Sequence, residues 1–193
     1  MSKSNPPIDV LDCGCGDAFQ LSRQLQGLSV SSFTGYDMSE QALELARKNF
    51  RDHAQPVILK NGAMQDLILE ENKSFDVIYS SFAIHHLQDE GKKNFLKSCF
   101  NRLKAGGKII LIDILRSKEE TISEYLEKYI DIINTTWDAI SASDKELIFD
   151  HMRNYDFPAV IDDFSDWVTE TGFTISKRFD ANPLNIMLIA QKN

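Results

Sequence analysis

Along the first part of the chain, short apolar runs alternate with segments whose apolar residues recur every three or four positions, the pattern of strands followed by helices. Residues 8–11 read as a first strand running into Asp12-Cys13-Gly14-Cys15-Gly16, after which Phe19, Leu21, Leu25 and Leu28 keep helical spacing. Residues 32–36 read as a second strand ending at Asp37, and Ser39 stands where it caps a helix carrying Ala42, Leu43, Ala46 and Phe50. Further strands are predicted over 56–60, 75–81 and 108–114, with a loop or short helical turn over 62–73 and a helix over about 89–103 that stops at Ala105-Gly106-Gly107.

From 117 to about 157 the periodicity is wholly helical, with a capping-box spacing at Ser143 and Glu146. A helix over about 161–171 ends at Gly172. Strands over 173–179 and 185–190 follow, so close that an antiparallel hairpin is expected through residues 180–184. Strands alternating with helices predict an α/β fold with a mostly parallel sheet, helices on both faces, an antiparallel last strand and a helical insertion after strand five.

Composition narrows the class. At 193 residues, 42% of them hydrophobic and 26% charged, the chain suits one domain spanning 1–193. No apolar run is long enough for a bilayer and residues 1–7 lack an apolar leader core, so a soluble, cytoplasmic protein is expected. The formal net charge of −8 makes nucleic acid an unfavoured partner. Lys92, Lys93, Lys97, Arg102, Lys104 and Lys108 are scattered in the manner of a solvated face. Three cysteines, two of them flanking Gly14, are expected to stay reduced.

A glycine loop after the first strand of such a sheet is a nucleotide-binding position. A dinucleotide fingerprint would continue G-x-G-x-x-G, but Phe19 replaces the third glycine. Asp17 would repel a pyrophosphate at the helix N-terminus, while Asp37 stands where an acid accepts both ribose hydroxyls. A ribose-bearing ligand without phosphates fits this pattern.

Five segments in this order make the chain resemble the class I S-adenosylmethionine-dependent methyltransferases: Val10-Leu11-Asp12-Cys13-Gly14-Cys15-Gly16, Gly35-Tyr36-Asp37-Met38-Ser39, residues 74–81, Ala83-Ile84-His85-His86-Leu87 and Leu103-Lys104-Ala105-Gly106-Gly107. The resemblance covers residues 8–115 and implies a Rossmann-like seven-stranded sheet with S-adenosylmethionine as cofactor. It further implies that Asp12 braces the glycine loop, that the backbone around Gly14 and Gly16 meets the methionine moiety, that Asp37 takes the ribose and that Met38 packs on adenine. Cys13, Cys15, Ala63, Met64 and Ser81 complete the implied cofactor set. Ala63 stands where the family usually has an acid for the adenine amino group, which shifts that task to the Met64 backbone or Asp66.

In-line methyl transfer needs chiefly alignment and exclusion of water. His85, just beyond strand four, is the candidate base, with a chain-turning structural role as its alternative. Arg116, Tyr125, Tyr129, Trp137 and Tyr155 are candidates to line the acceptor pocket, against ordinary core packing. No metal is expected, because His85-His86 and Cys13-x-Cys15 lack further ligands at usual spacings. The expected activity is methyl transfer to a small-molecule acceptor by a monomer or homodimer. A noncatalytic S-adenosylmethionine-binding or scaffold protein is the main alternative, ahead of a protein or RNA methyltransferase and a dehydrogenase.

Overall fold

In the computed structural model, which describes residues 6–70, 72–182 and 185–193, seven strands form one sheet in the order β3-β2-β1-β4-β5-β7-β6. The strands are β1 (Ile8–Cys13), β2 (Val30–Asp37), β3 (Val57–Asn61), β4 (Phe75–Ser81), β5 (Leu103–Asp113), β6 (Phe173–Asn182) and β7 (Asn185–Lys192). The first five pair in parallel, and β7 runs antiparallel to both β5 and β6, as the hairpin spacing predicts. Pro183 and Leu184 of the predicted connection lie outside the described residues.

Alternation along the strands splits the core. Val10 and Phe33 face α1 (Phe19–Leu25) and α2 (Glu40–Asn49), where Leu21, Leu25, Leu43, Ala46 and Phe50 are buried with them. Leu11, Ile78 and Ile109 point the other way, into a cluster with Ile68 of α3 (Met64–Glu70), Phe95, Leu96 and Cys99 of α4 (Asp89–Arg102) and Phe164 and Val168 of α7 (Ile161–Glu170). Both faces are thus covered, which a parallel sheet requires. The insertion forms α5 (Ile122–Thr136) and α6 (Ala142–Tyr155), with a third cluster of their own around Tyr125, Ile130, Phe149 and Ile114.

Several local expectations change. Leu28 lies beyond the end of α1 and is exposed, because Gln26 is already extended. Ser39 does cap α2, accepting the Ala42 N–H. The capping box belongs to Thr121 and Glu124 at α5, whereas α6 starts at Ser141, which accepts the Asp144 N–H; Ser143 and Glu146 already lie inside that helix. The basic residues are not all solvated. Lys92 is buried, with its ammonium donating to the carbonyls of Leu87 and Phe157, and Arg102 donates to the carbonyls of Ile68 and Leu69 at the end of α3. Lys104 pairs with Asp9 and Asp76.

Candidate active site

β1 leads one way to β2 and its other neighbour is β4, so the chain leaves a crevice beyond their carboxyl ends, the usual ligand position in open α/β sheets. A cavity of about 730 Å³ lies there. Its size is within the range of small-molecule and cofactor sites, roughly 300–1,000 Å³.

The glycine loop closes one wall. Gly14 has φ +76°, and a β-carbon on it would sit 2.3 Å from the Ala83 β-carbon, so only glycine lets this loop approach the segment after β4. Gly16, at φ +52°, faces open space, and its N–H donates to Asp37 Oδ2 at 2.7 Å. The second Asp37 oxygen accepts the Ser39 N–H at 2.8 Å. Phe82 follows β4 with φ +51°, an uncommon conformation for an aromatic residue; its N–H is anchored on the Ile112 carbonyl. Backbone held this way at a cavity wall fits a binding role.

Eight of the ten residues implied as cofactor ligands line the cavity: Asp12, Gly14, Cys15, Gly16, Asp37, Met38, Met64 and Ser81. Cys13 does not; its side chain is fully buried in the core, and its carbonyl accepts the Ser80 hydroxyl. Ala63 does not either, since its carbonyl begins α3 by accepting the N–H groups of Asp66 and Leu67. Asp12 lines the cavity without binding the loop: Oδ1 is buried and has no hydrogen-bond partner, and Asp37 holds the loop instead. Burial, with a contribution from the Asp37 charge, pushes the Asp12 carboxyl well above its ordinary value. Burial likewise raises the Cys15 thiol, which disfavours its thiolate form. Met38 is 76% exposed, leaving an apolar surface beside Asp37.

Among the described residues, the cavity is lined by three carboxylates, Asp12, Asp17 and Asp37, and by no lysine or arginine. Such a wall disfavours phosphates and favours a neutral or cationic ligand bearing hydroxyls. An orphaned carboxylate oxygen, an acid with two oriented oxygens and an exposed thioether fit S-adenosylmethionine, which carries a sulfonium, an ammonium and a ribose.

Of the two adjacent histidines after β4, the second is the one at the cavity. His85 is buried and does not line the cavity; its Nδ1–H donates to Asp113 Oδ1 at 2.6 Å. Asp113, at the end of β5, also accepts the N–H groups of Ile84, His85 and Ile114, so it pins the turn after β4. His86 lines the cavity instead, together with His151 of α6. The Asp156 carboxylate beside His86 raises its imidazole above the ordinary value, against the opposing effect of burial.

The five candidates for the acceptor pocket lie elsewhere than the cavity wall. Arg116 spends its guanidinium on the carbonyls of Pro158, Ser117 and Glu120, and Tyr125 is buried in the insertion's own core with Tyr129 packed against it. Trp137 and Tyr155 are exposed, and none of the five lines the cavity. Tyr155 borders the site only indirectly, its ring packing on His151 and its carbonyl lying 3.3 Å from His86 Nδ1. Tyr36, Tyr79, Phe82, Leu87, His86 and His151 were not expected at the cavity. Phe82, His86 and Leu87 directly follow β4, a signal the strand boundary itself provides, whereas His151 arrives through the tertiary placement of α6.

A family model described as a methyltransferase domain matches residues 10–107. The ribosomal protein L11 methyltransferase of Staphylococcus aureus is 27% identical over 124 residues, which are 64% of this chain and 37% of that protein. The chain therefore spans little over a third of the length of the curated relatives it matches. Among solved structures, the mycolic acid cyclopropane synthase CmaA1 complexed with SAH superposes with a TM-score of 0.73 at 14% identity, over 98% of this chain and 80% of that one. An O-methyltransferase family protein from Burkholderia thailandensis gives 0.69 at 15% identity, over 96% and 51%. At such identities these likenesses establish the shared fold. Among the described residues, no helix is long and apolar enough to cross a membrane.

Proposed function

The chain belongs to the methyltransferase-domain family, whose cofactor is S-adenosylmethionine, and on that footing we propose that it transfers a methyl group from S-adenosylmethionine to a small-molecule acceptor. The observation that carries this reading is the cavity wall beyond the ends of β1 and β2, where the Asp17 and Asp37 carboxylates disfavour phosphate and the buried Asp12 carboxyl is open to a cation. Asp37 would take the ribose, Asp12 the positive end of the methionine moiety, and Met38 one face of the adenine. In-line displacement on the sulfonium then requires an acceptor held on its far side. The Phe82, His86, Leu87 and His151 wall would provide that hold and exclude water.

A cavity of this size favours a small acceptor enclosed with the cofactor over a polymer lying across a surface. A protein acceptor is the second reading, favoured by the named activity of the Staphylococcus aureus relative. Isothermal titration with S-adenosylhomocysteine tests the cofactor, and release of S-adenosylhomocysteine from S-adenosylmethionine across a metabolite panel tests the reaction. No binding of either compound sinks the proposal. Binding with no turnover on metabolites or candidate proteins would favour the noncatalytic alternative.

A further inference from the structure

Three imidazoles converge on one carboxylate oxygen at the edge of the cavity. Asp156 Oδ1 lies 3.2 Å from His86 Nδ1, 3.6 Å from His85 Nε2 and 4.0 Å from His151 Nε2. Donor atoms of His85, His86 and Asp156 all fall within 4.8 Å of one another. Asp156 is 6% exposed, and its Oδ1 is buried without a hydrogen bond of acceptable geometry despite these neighbours. Such an oxygen is costly unless something positive meets it.

The orientation of His85 says what that is. Asp113 accepts backbone N–H groups on both oxygens and so acts as an acceptor toward His85, which places the ring proton on Nδ1. In the neutral ring Nε2 then presents its lone pair toward Asp156, and two lone pairs face each other at 3.6 Å in a buried space. A carboxylate fixing one ring nitrogen while the other is free to ligate is the arrangement around metal-binding histidines. The two separations from Asp156 Oδ1, 3.2 and 3.6 Å, match as well. A tetrahedral ion with bonds of about 2.0–2.2 Å holds its donor atoms about 3.3–3.6 Å apart.

We propose that His85 Nε2, His86 Nδ1 and Asp156 Oδ1 bind a divalent transition-metal ion of the zinc type, with the fourth position left open on the side of His151 and the cavity. Nitrogen and carboxylate donors without thiolate suit zinc, cobalt, nickel or iron. Binding takes the His86 Nδ1 lone pair and gives up the 3.3 Å contact with the Tyr155 carbonyl. Spacing rules miss the site because Asp156 follows α6, far along the chain from the His85-His86 pair, and reaches it only through the fold. His86 and His151 line the cavity, so an ion there has an open side toward it. That side can hold an oxygen, nitrogen or sulfur of the methyl acceptor. This use rests on the methyltransferase reading, whereas binding of the ion does not.

The test is a titration of chelator-treated protein with Zn²⁺ by calorimetry and with Co²⁺ by visible absorption. The expected result is one ion per chain, with intense cobalt bands of low coordination number. His86→Ala and Asp156→Asn should each weaken binding by about tenfold or more, and Asp113→Asn by roughly 10- to 100-fold through the lost orientation of His85. His53→Ala, on the remaining histidine, should bind like the parent. Should Asp156→Asn fail to fold, His86→Ala decides, since that side chain is 43% exposed. No stoichiometric binding, or binding unaltered by His86→Ala, overturns the site. Zinc binding without S-adenosylhomocysteine binding would overturn the methyltransferase reading and leave the metal site standing; the reverse result would do the opposite.

Discussion

The Asp37 carboxylate, at the end of β2, accepts the Gly16 N–H at 2.7 Å and thereby fastens the glycine loop of the neighbouring strand. One acid thus shapes the loop and faces the cavity at once. Its other oxygen starts α2 by accepting the Ser39 N–H. Loop, helix start and proposed ribose contact therefore depend on the same side chain.

Replacing Asp37 by alanine should accordingly weaken S-adenosylhomocysteine binding more than a simple loss of contact would. Hydrogen bonds to a charged group contribute about 1.5–3 kcal/mol, roughly a 10- to 100-fold change in Kd. Calorimetry measures it directly. An unchanged Kd would remove Asp37 from the site.

Gly14→Ala and Gly16→Ala separate packing from backbone conformation. Both glycines have positive φ, so each substitution costs about 1–2 kcal/mol in backbone strain. Only Gly14 adds a clash, with the Ala83 β-carbon at 2.3 Å, which contributes a further 1–3 kcal/mol or so. Gly14→Ala should therefore melt several degrees below Gly16→Ala. Equal melting temperatures would mean that the loop relaxes away from Ala83.

The sequence made most of this sheet legible, because strand and helix periodicity and the ordered motifs from Asp12 to Gly107 are local. Asp37 and the glycine loop could be placed because a strand end fixes where the next residue points. The acceptor side was not legible for the opposite reason. Helical spacing shows that Tyr125 and Tyr129 share a face with Ile133, but not that this face meets Ile114 and Phe149 instead of the cavity. Likewise His85 and His86 differ by one position, and only the Asp113 contact decides which turns inward. Lys92 sits in a charged stretch, yet the packing of α4 against the segment after α6 buries it.

Competing cap signals give a sharper case. Thr121-x-x-Glu124 and Ser143-x-x-Glu146 carry the same spacing, and the chain uses the first: Thr121 Oγ1 accepts the Glu124 N–H, and the Thr121 N–H donates to Glu124 Oε2 at 2.8 Å. Thr121→Ala should lower Tm by roughly 2–4 °C. Ser143→Ala should leave it nearly unchanged. The reverse ranking would place the helix starts where the sequence pattern alone had put them.

Acid stability should depend on Asp9. Burial opposes its ionisation, but the Lys73 and Lys104 ammonium groups and the Ser32 hydroxyl outweigh that and hold the carboxyl well below its ordinary value. The same cluster ties β1 to β4, because Lys104 also pairs with Asp76, which accepts the Asp9 N–H. A folded-state pKa below the unfolded one means that this contribution is complete above the unfolded value, about 3.9, and disappears as pH falls through it toward the folded value. Urea midpoints measured from about pH 5 to pH 2 should therefore drop steeply for the parent and less for Asp9→Asn, which cannot lose a charge there. The two lysines carry side chains 38% and 41% exposed, so added salt should shrink the difference. Parallel curves for parent and variant would show that the acid sensitivity arises from other carboxylates.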